Sequence, residues 1–283
     1  MVKLSIIIPT YNSAKFIMLC LDSVFSQKES EIEVIVIDNA SLDGTVDLVR
    51  KKYSQVKVME NKHNLGASQA RNQGLKLTCG EWVLILDCDV VLGENFLKII
   101  LAAGRKMPSR VGMVQPKILK IKGKEIYTCG IRRSAFTRFH DIGRGRVDSG
   151  KFDTAEPIFG ACCAAALYRR KMLEEIKDAY GYFDVRFFFI FEDADLSWRS
   201  QKKGWICMYY PLARCYHAGN SSLIDDKTRQ YLSFRNRQLT ILKNQNLIMI
   251  LLLLPLYLIY DLPRFLILTA KFNCKFPEFK YAS

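Results

Sequence analysis

An α/β fold, a mostly parallel sheet flanked by helices, is what the sequence predicts, and three observations predict it. Short apolar runs without polar breaks recur through the first 86 residues, as they do in strands buried on both faces of a sheet. Between them lie stretches of helical periodicity, each opened by a turn rich in Ser, Asn, Asp or Gly. Strand and helix alternate, so the connections are crossovers and the helices pack on the sheet's faces.

The first strand is Leu4–Ile8, broken by Pro9-Thr10-Tyr11-Asn12; Asn12 or Ser13 then caps a helix with Ile17, Cys20, Leu21, Val24 and Phe25 on one stripe. Val34–Ile37 is the second strand, ending in Asp38-Asn39. The turn Ser41-Leu42-Asp43-Gly44 leads to a helix over Thr45–Tyr53, whose basic last turn complements the negative end of the helix dipole. A third strand, Val56–Met59, passes through Asn61–Gly66 into a helix ending near Thr78. The fourth, Trp82–Leu86, runs directly into Asp87-Cys88-Asp89. Ligands of open α/β sheets bind outside the carboxyl ends of the strands, so two carboxylates at such an end face a crevice. Paired hard oxygens suit Mg²⁺ or Mn²⁺, ions that complete their shells with water and substrate phosphates.

Further along, the spacing predicts a helix over Glu94–Gly104, a strand over Val111–Gln115 and a hairpin over Ile118–Thr128 turning at Lys122-Gly123-Lys124. Gly130–Lys151 is rich in Gly and Arg without periodicity and reads as a long surface loop, either a lid or a disordered stretch. Ile158–Tyr168 is apolar and full of small residues, which permits close approach of a ligand or of packed backbone. Phe187–Phe191 precedes Glu192-Asp193-Ala194-Asp195, and these acids open a helix closed by Arg199, Lys202, Lys203 and Gly204. Dipole complementarity accounts for the charges. A carboxyl buried behind five apolar residues would also have the raised pKa of a general base. Trp205–Tyr210 reads as the last core strand, with His217 after the loop PLARCY.

The chain of 283 residues is 49% apolar, ample for a large core, and carries a net charge of +14. From Arg199 onward there are 13 Lys and Arg against 4 Asp and Glu, so the excess points to an anionic partner near the C-terminus. A nucleic acid is not expected, because no recognisable basic helix or stacking sheet accompanies the charge. Nine cysteines form no CxxC pair, and Cys20, Cys79 and Cys207 sit in apolar runs, which reads as buried thiols in a reducing compartment. The N-terminal run Ile6–Ile8 is too short for a signal segment, so secretion is not expected.

The most apolar stretch is Leu247–Tyr260, interrupted at Pro255 and followed by Asp261-Leu262-Pro263-Arg264 before Phe265–Ala270 resumes. Its length as a helix, about 21 Å, falls short of the roughly 30 Å hydrocarbon core. A kinked segment lying in the membrane interface is expected, with Lys227, Arg229, Arg235, Arg237 and Lys243 facing anionic head groups of the inner leaflet. A buried or dimer-forming helix and a spanning segment are the alternatives.

SIIIPTYN, VIVIDNASLDGT, NLGASQARNQGL, LDCD and FEDADLSWR, in this order and spacing, resemble the inverting family 2 glycosyltransferases of the GT-A fold, over residues 3–220. The likeness is strongest to bacterial enzymes that transfer rhamnose or related sugars to cell-surface glycan precursors. It implies a glycosyltransferase domain over 1–220, with a nucleotide-sugar-binding half (1–115) and an acceptor-binding half (116–220). Residues 221–283 form a basic, apolar helical region associating with the membrane. Pro9, Thr10, Tyr11 and Asp38 would hold the nucleoside; a carboxylate accepts the ring N–H of uracil, thymine or guanine, so UDP or dTDP donors are favoured and GDP is compatible. Asn64 and Arg71 would line the same pocket. Asp87 and Asp89 would hold Mn²⁺ or Mg²⁺, and His217 stands where some relatives have a metal-binding His, which would point to Mn²⁺. Asp193 would be the general base for a glycan or lipid-linked acceptor, with Glu192 and Asp195 orienting the acceptor, capping the helix or tuning Asp193. The implied enzyme is cytoplasmic, peripheral on the inner face of the membrane, and adds a single sugar; its oligomeric state is open. A processive synthase would carry QxxRW and several membrane helices, and a sugar nucleotidyltransferase a Gly-rich basic loop in place of PTYNSA.

Overall fold

In the computed structural model, which describes residues 3–28, 31–121, 123–219 and 224–272, the unbroken apolar runs form the centre of one sheet. They are strands β1 (Leu4–Thr10), β2 (Ile32–Asp38), β3 (Lys57–Glu60) and β4 (Trp82–Leu86), alternating with helices α1 (Ile17–Phe25), α2 (Thr45–Lys52) and α3 (Gly66–Leu77). Strand β1 pairs in parallel with β2 and β4, its Ile7 standing opposite Ile35 and Ile85. Side chains alternate along a strand, so Ile6 and Ile8 pack on one face with α1 residues Ile17 and Leu21, while Ile7 packs on the other with Ala70 and Leu75 of α3. Both faces are covered. This is why these strands read as continuous hydrophobic runs.

The chain continues as β5 (Val90–Leu92), α4 (Phe96–Lys106), β6 (Val111–Lys120), β7 (Ile126–Thr128), β8 (Ile131–Arg133), β9 (Phe139–Asp141), β10 (Glu156–Ile158), β11 (Ala165–Arg169) and α5 (Arg170–Ile176). It ends in α6 (Glu192–Lys202), β12 (Ile206–His217), α7 (Asp226–Asn244) and α8 (Leu247–Lys271). The sheet order is β10-β12-β6-β11-β4-β1-β2-β3. Antiparallel β11 enters between β4 and β6, making the sheet mixed.

Several local expectations change. Strand β1 runs through Pro9 to Thr10; its pairing with β4 has ended by then at Ile7, so a residue without N–H is tolerated. Helix α1 has no side-chain cap, its first turn being held by the carbonyl of Ser13. Cys79 is exposed, whereas Cys20 and Cys207 are buried. The hairpin of β6 and β7 forms as expected; Lys122 at its tip lies outside the described residues. Residues 130–151 are not a featureless loop. They contain the β8–β9 ribbon, and the segment behind it is tied down by Lys117, a buried lysine of β6 that pairs with Asp148 at 2.8 Å and with Asp153. Strand β12 continues through PLARCY by way of a bulge between Tyr210 and Arg214, so His217 is a strand residue.

Helix α8 is continuous for 25 residues through Pro255 and Pro263, about 37 Å at 1.5 Å per residue, so shortness no longer excludes spanning. It lies beside α7, however. Arg237 of α7 donates two 2.7 Å bonds to the carboxylate of Asp261, Phe234 meets Phe265 and Tyr231 meets Phe272. Only Leu253 and Leu268 of α8 are buried. The basic run of α7 also differs from expectation. Arg235 donates to the carbonyls of Arg186 and Phe187, Arg237 is held by Asp261, and Lys243 pairs with Asp178, Asp184 and Asp195, so these three face protein.

Candidate active site

Strand β4 delivers Asp87 to the carboxyl edge of the sheet, where its N–H is held by the carbonyl of Ala164 at 2.9 Å. Cys88 turns to Ser13, its Sγ 3.0 Å from the hydroxyl, and burial pushes its thiol up to about 12, which keeps it protonated. Asp89 is buried beside the end of β12, its carbonyl accepting the N–H of Ala218. His217 thereby reaches both acids, with Nε2 3.3 Å from Asp89 and 3.9 Å from Asp87. The ligating atoms of Asp87, Asp89 and His217 all lie within 4.8 Å of one another.

Two carboxylates and an imidazole this close fit a divalent cation. The carboxylates fit as they stand. His217 accepts the N–H of Gly219 at Nδ1, 2.8 Å away, so the neutral ring carries its proton on Nε2, the nitrogen facing the acids. For His217 to ligate through Nε2, its proton would have to sit on Nδ1, in place of the Gly219 bond. His217→Ala is therefore expected to weaken Mn²⁺ about tenfold and Mg²⁺ less, within the range seen when groups supporting a metal site are removed. Metal titration monitored by nucleotide binding measures this, and equal effects on both ions return His217 to a structural role.

Arg71 of α3 joins this end of the sheet to α6. Its guanidinium, almost fully buried, lies 3.2 Å from Asp87 and pairs with Glu192. Burial pushes the Asp87 carboxyl up, but the facing Nε2–H of His217 and the Arg71 guanidinium outweigh it and hold the group below its usual range, ionised.

Two cavities meet here. The first, of about 250 Å³, is lined by Pro9, Thr10, Tyr11, Asn39, Asn64 and Phe188. The second is lined by Phe139, Asp141, Cys162, Phe191, Glu192 and Asp193. Arg71, Asp87, Tyr127, Arg144, Phe189 and Arg229 belong to both and form the shared wall. Tyr127 stacks on the His217 ring at 4.1 Å between centroids, and the Arg144 guanidinium lies 4.9 Å from the Tyr127 ring.

The aromatic run before α6 is conformationally strained: Phe188, Ile190 and Phe191 all have positive φ, with no Gly among them. Two neighbours hold it. The buried amide of Asn236 on α7 donates to the carbonyls of Phe187, Phe189 and Ile190 at 2.7–2.9 Å. Gly66 lets the loop approach, because a Cβ there would come within 2.5 Å of the Phe188 carbonyl.

Of the three acids opening α6, Asp195 faces away from both cavities. It accepts bonds from Arg199 at 2.8 Å and Asn244 at 2.7 Å, fastening α6 to α7. Asp193 lies deep in the protein with part of its surface open to the second cavity. Burial, then the charge of Glu192, pushes its carboxyl up to about 7, against Arg71 and the N–H of Cys163. Asp38 is buried behind the first cavity, accepting from Thr10 at 2.9 Å and Ser41 at 2.8 Å; its neighbour Asn39 lines the cavity instead. Asn39, Tyr127, Arg144, Phe188 and Phe189 carry no individual signal in the sequence beyond a strand end, a hairpin, an Arg-rich loop and an aromatic run, and Arg229, expected to face lipid head groups, lines both cavities.

Residues 5–177 match the family model described as glycosyl transferase family 2. The chain belongs to glycosyl transferase family 2. An N-acetylglucosaminyl-diphospho-decaprenol L-rhamnosyltransferase of Mycobacterium tuberculosis is 26% identical over 237 residues, 76% of this chain and 75% of that one. Other relatives are longer, the matched stretch covering 16% to 49% of their length. Among solved structures, GalNAc-T7 with UDP, GalNAc and Mn²⁺ superposes with a TM-score of 0.65 at 16% identity, over 85% of this chain and 48% of that one. The Pyrobaculum calidifontis mannosyltransferase PcManGT, in complex with GDP-Man and Mn²⁺, gives 0.60 at 18% identity, over 98% and 76%. The fold of this family 2 chain is thus that of the GT-A glycosyltransferases, as its motifs imply.

Proposed function

We propose that the protein is an inverting, metal-dependent glycosyltransferase that moves one sugar from a nucleoside diphosphate to the hydroxyl of a glycan or lipid-linked acceptor at the inner face of the membrane. The observation that carries this is the shared wall: His217 of the metal cluster opens on one cavity, Asp193 on the other, and Arg71 and Asp87 line both, with Asp89 buried behind Asp87 and His217. Residues 1–115 supply most of the first cavity and residues 116–220 most of the second, in keeping with a donor half and an acceptor half.

Pro9, Thr10, Tyr11, Asn39 and Asn64 surround the nucleoside, with Asp38 bracing Thr10 from behind. When bound at Asp87 and Asp89, Mn²⁺ or Mg²⁺ supplies positive charge to the leaving diphosphate. Arg71 keeps Asp87 ionised and oriented for that task. On the acceptor side an inverting displacement needs one base. Four acids line the second cavity, and Asp87, Glu192 and Asp141 are each paired with an arginine. Asp193 has only backbone N–H partners among the described residues, so it is the acid able to take the acceptor's proton as the oxygen attacks the anomeric carbon. A screen of UDP-, dTDP- and GDP-sugars with Mn²⁺ and with Mg²⁺, scored by acceptor-dependent product, tests the reading; release of nucleoside diphosphate with none of these donors overturns it.

The membrane part rests on α8. Leu247, Ile248, Leu251, Leu252, Leu258, Ile259 and Leu266 are more than half exposed and lie along one side of the helix, a contiguous apolar face of the kind that marks a membrane or protein contact. The opposite side of α8 carries the contacts to polar α7, which a spanning helix would drag into hydrocarbon with its arginines. An in-plane helix satisfies both faces. The relative from Mycobacterium tuberculosis is named for a diphospho-decaprenol acceptor, which supports a lipid-linked one here. Truncation before Asn246 is expected to abolish flotation with anionic liposomes while sparing donor binding. Intact protein that stays at the bottom of a low-salt gradient rules the membrane reading out.

A further inference from the structure

A third cavity, of about 270 Å³, lies between the β8–β9 ribbon and α8, away from the metal cluster. It is lined by Phe136, Arg138, Arg237, Leu253, Leu256 and Tyr257, together with Tyr260 and Asp261. One wall is basic and the other aliphatic. Asp261 is the only acid of the lining among the described residues and is already engaged by both N–H bonds from Arg237. Arg138 sits over the Tyr260 ring at 5.1 Å, and Arg264, outside the lining, follows one turn after Asp261 with its guanidinium 5.8 Å from the Phe234 ring; neither has a carboxylate partner among the described residues. Burial, then the charges of Arg237 and Arg138, lowers the Arg264 pKa, as expected of guanidiniums crowded without enough counter-charge.

We infer that this cavity binds the phosphate head of a membrane amphiphile, with its chain lying along the exposed leucines of α8. The inference rests on the reading of a membrane-docked enzyme with a lipid-linked acceptor, and names where that acceptor's phosphate is held. The aliphatic wall, Leu253 and Leu256, borders the exposed side of the helix, where Leu252 and Ile259 stand about one turn before and after Leu256, so a chain leaving the cavity past Leu256 meets a surface suited to hydrocarbon. Its basic wall is joined to the acceptor cavity along the chain, the two sharing no lining residue. Arg138 immediately precedes β9, and Phe139, His140 and Asp141 of that strand line the cavity of Asp193. At about 3.3 Å per residue, Arg138 stands about 10 Å from Asp141, a short step along one strand from phosphate to reacting sugar. Guanidinium forks suit phosphate oxygens, and a partly desolvated site strengthens the contact.

The test uses the full chain in detergent, with farnesyl phosphate, farnesol and inorganic phosphate as probes. Farnesyl phosphate is expected to bind at least tenfold more tightly than either of the others. Arg138→Ala should weaken it by about tenfold, the loss of one charge-assisted hydrogen bond, and Arg264→Ala, which removes a charge beside the lining, by less, with UDP binding unchanged and Arg138→Lys retaining most of the affinity. Inorganic phosphate binding as well as farnesyl phosphate would reduce the cavity to an anion site, and unchanged binding in both alanine variants would remove the site altogether. Flotation with anionic liposomes separates this inference from the one beneath it. Variants that float normally yet lose farnesyl phosphate support the cavity. Intact protein that fails to float while binding farnesyl phosphate through Arg138 leaves the cavity standing and removes the peripheral helix.

Discussion

Asp89→Ala is expected to abolish sugar transfer and metal-dependent nucleotide binding together. Asp89 is the buried member of the acid pair, and the end of β12 packs against it so that His217 faces the same point. Its side chain contributes to no hydrophobic cluster, so a methyl group in its place removes a ligand without opening the core. A metal's contribution to a charged leaving group is several kcal/mol; a loss of about 4 kcal/mol is roughly a thousandfold in rate. UDP binding measured by titration calorimetry with and without Mn²⁺ should show a metal-dependent gain in the parent and none in the variant, while thermal unfolding stays within a few degrees. A variant that keeps both turnover and the Mn²⁺-dependent gain means that the cation sits elsewhere.

The parts of the fold legible in the sequence are those where burial is two-sided. Ile6–Ile8, Val34–Ile37 and Trp82–Leu86 announce themselves because parallel strands between helix layers admit no polar residue. The acid pair was legible for the same reason: it is the first polar point after such a run. What periodicity could not reach are elements of three residues. Strands β8 and β9 are too short for any pattern, and the segment behind them is fixed by Lys117 with Asp148 and Asp153, a contact across the fold that looks locally like scattered charge. Strand ends also mislead by one residue. Asp38 and Asn39 point to different sides, so the acid braces Thr10 and the amide meets the cavity. The three acids of α6 were legible as a group but not as individuals, since helical phase sends Asp195 to α7 and leaves Glu192 and Asp193 facing Arg71 and the cavity. The basic run of α7 misled because charge density does not say whether a lysine meets lipid or three aspartates.

Replacing that remaining acid, Asp193→Asn, is expected to lower kcat by about 100-fold to 10,000-fold with donor and metal affinity retained. The amide keeps the size of the side chain and can still accept the N–H of Cys163, but it cannot take a proton. The pH dependence follows from the same environment. Burial and Glu192 bring the carboxyl to about 7, and a base acts only when deprotonated, so the parent rate should fall as pH drops through about 7 and level off above it. The variant's residual rate should lack that step. Asp87 does not share the step, because it is held below its usual carboxylate range and stays ionised throughout. Single-turnover rates between pH 5.5 and 8.5, roughly a unit and a half to either side of the step, together with UDP titrations of both proteins, separate the outcomes. Loss of UDP affinity matching the loss of rate would show that Asp193 binds rather than catalyses. A product of retained anomeric configuration would require a nucleophile on the donor side and remove Asp193 from the role of single base.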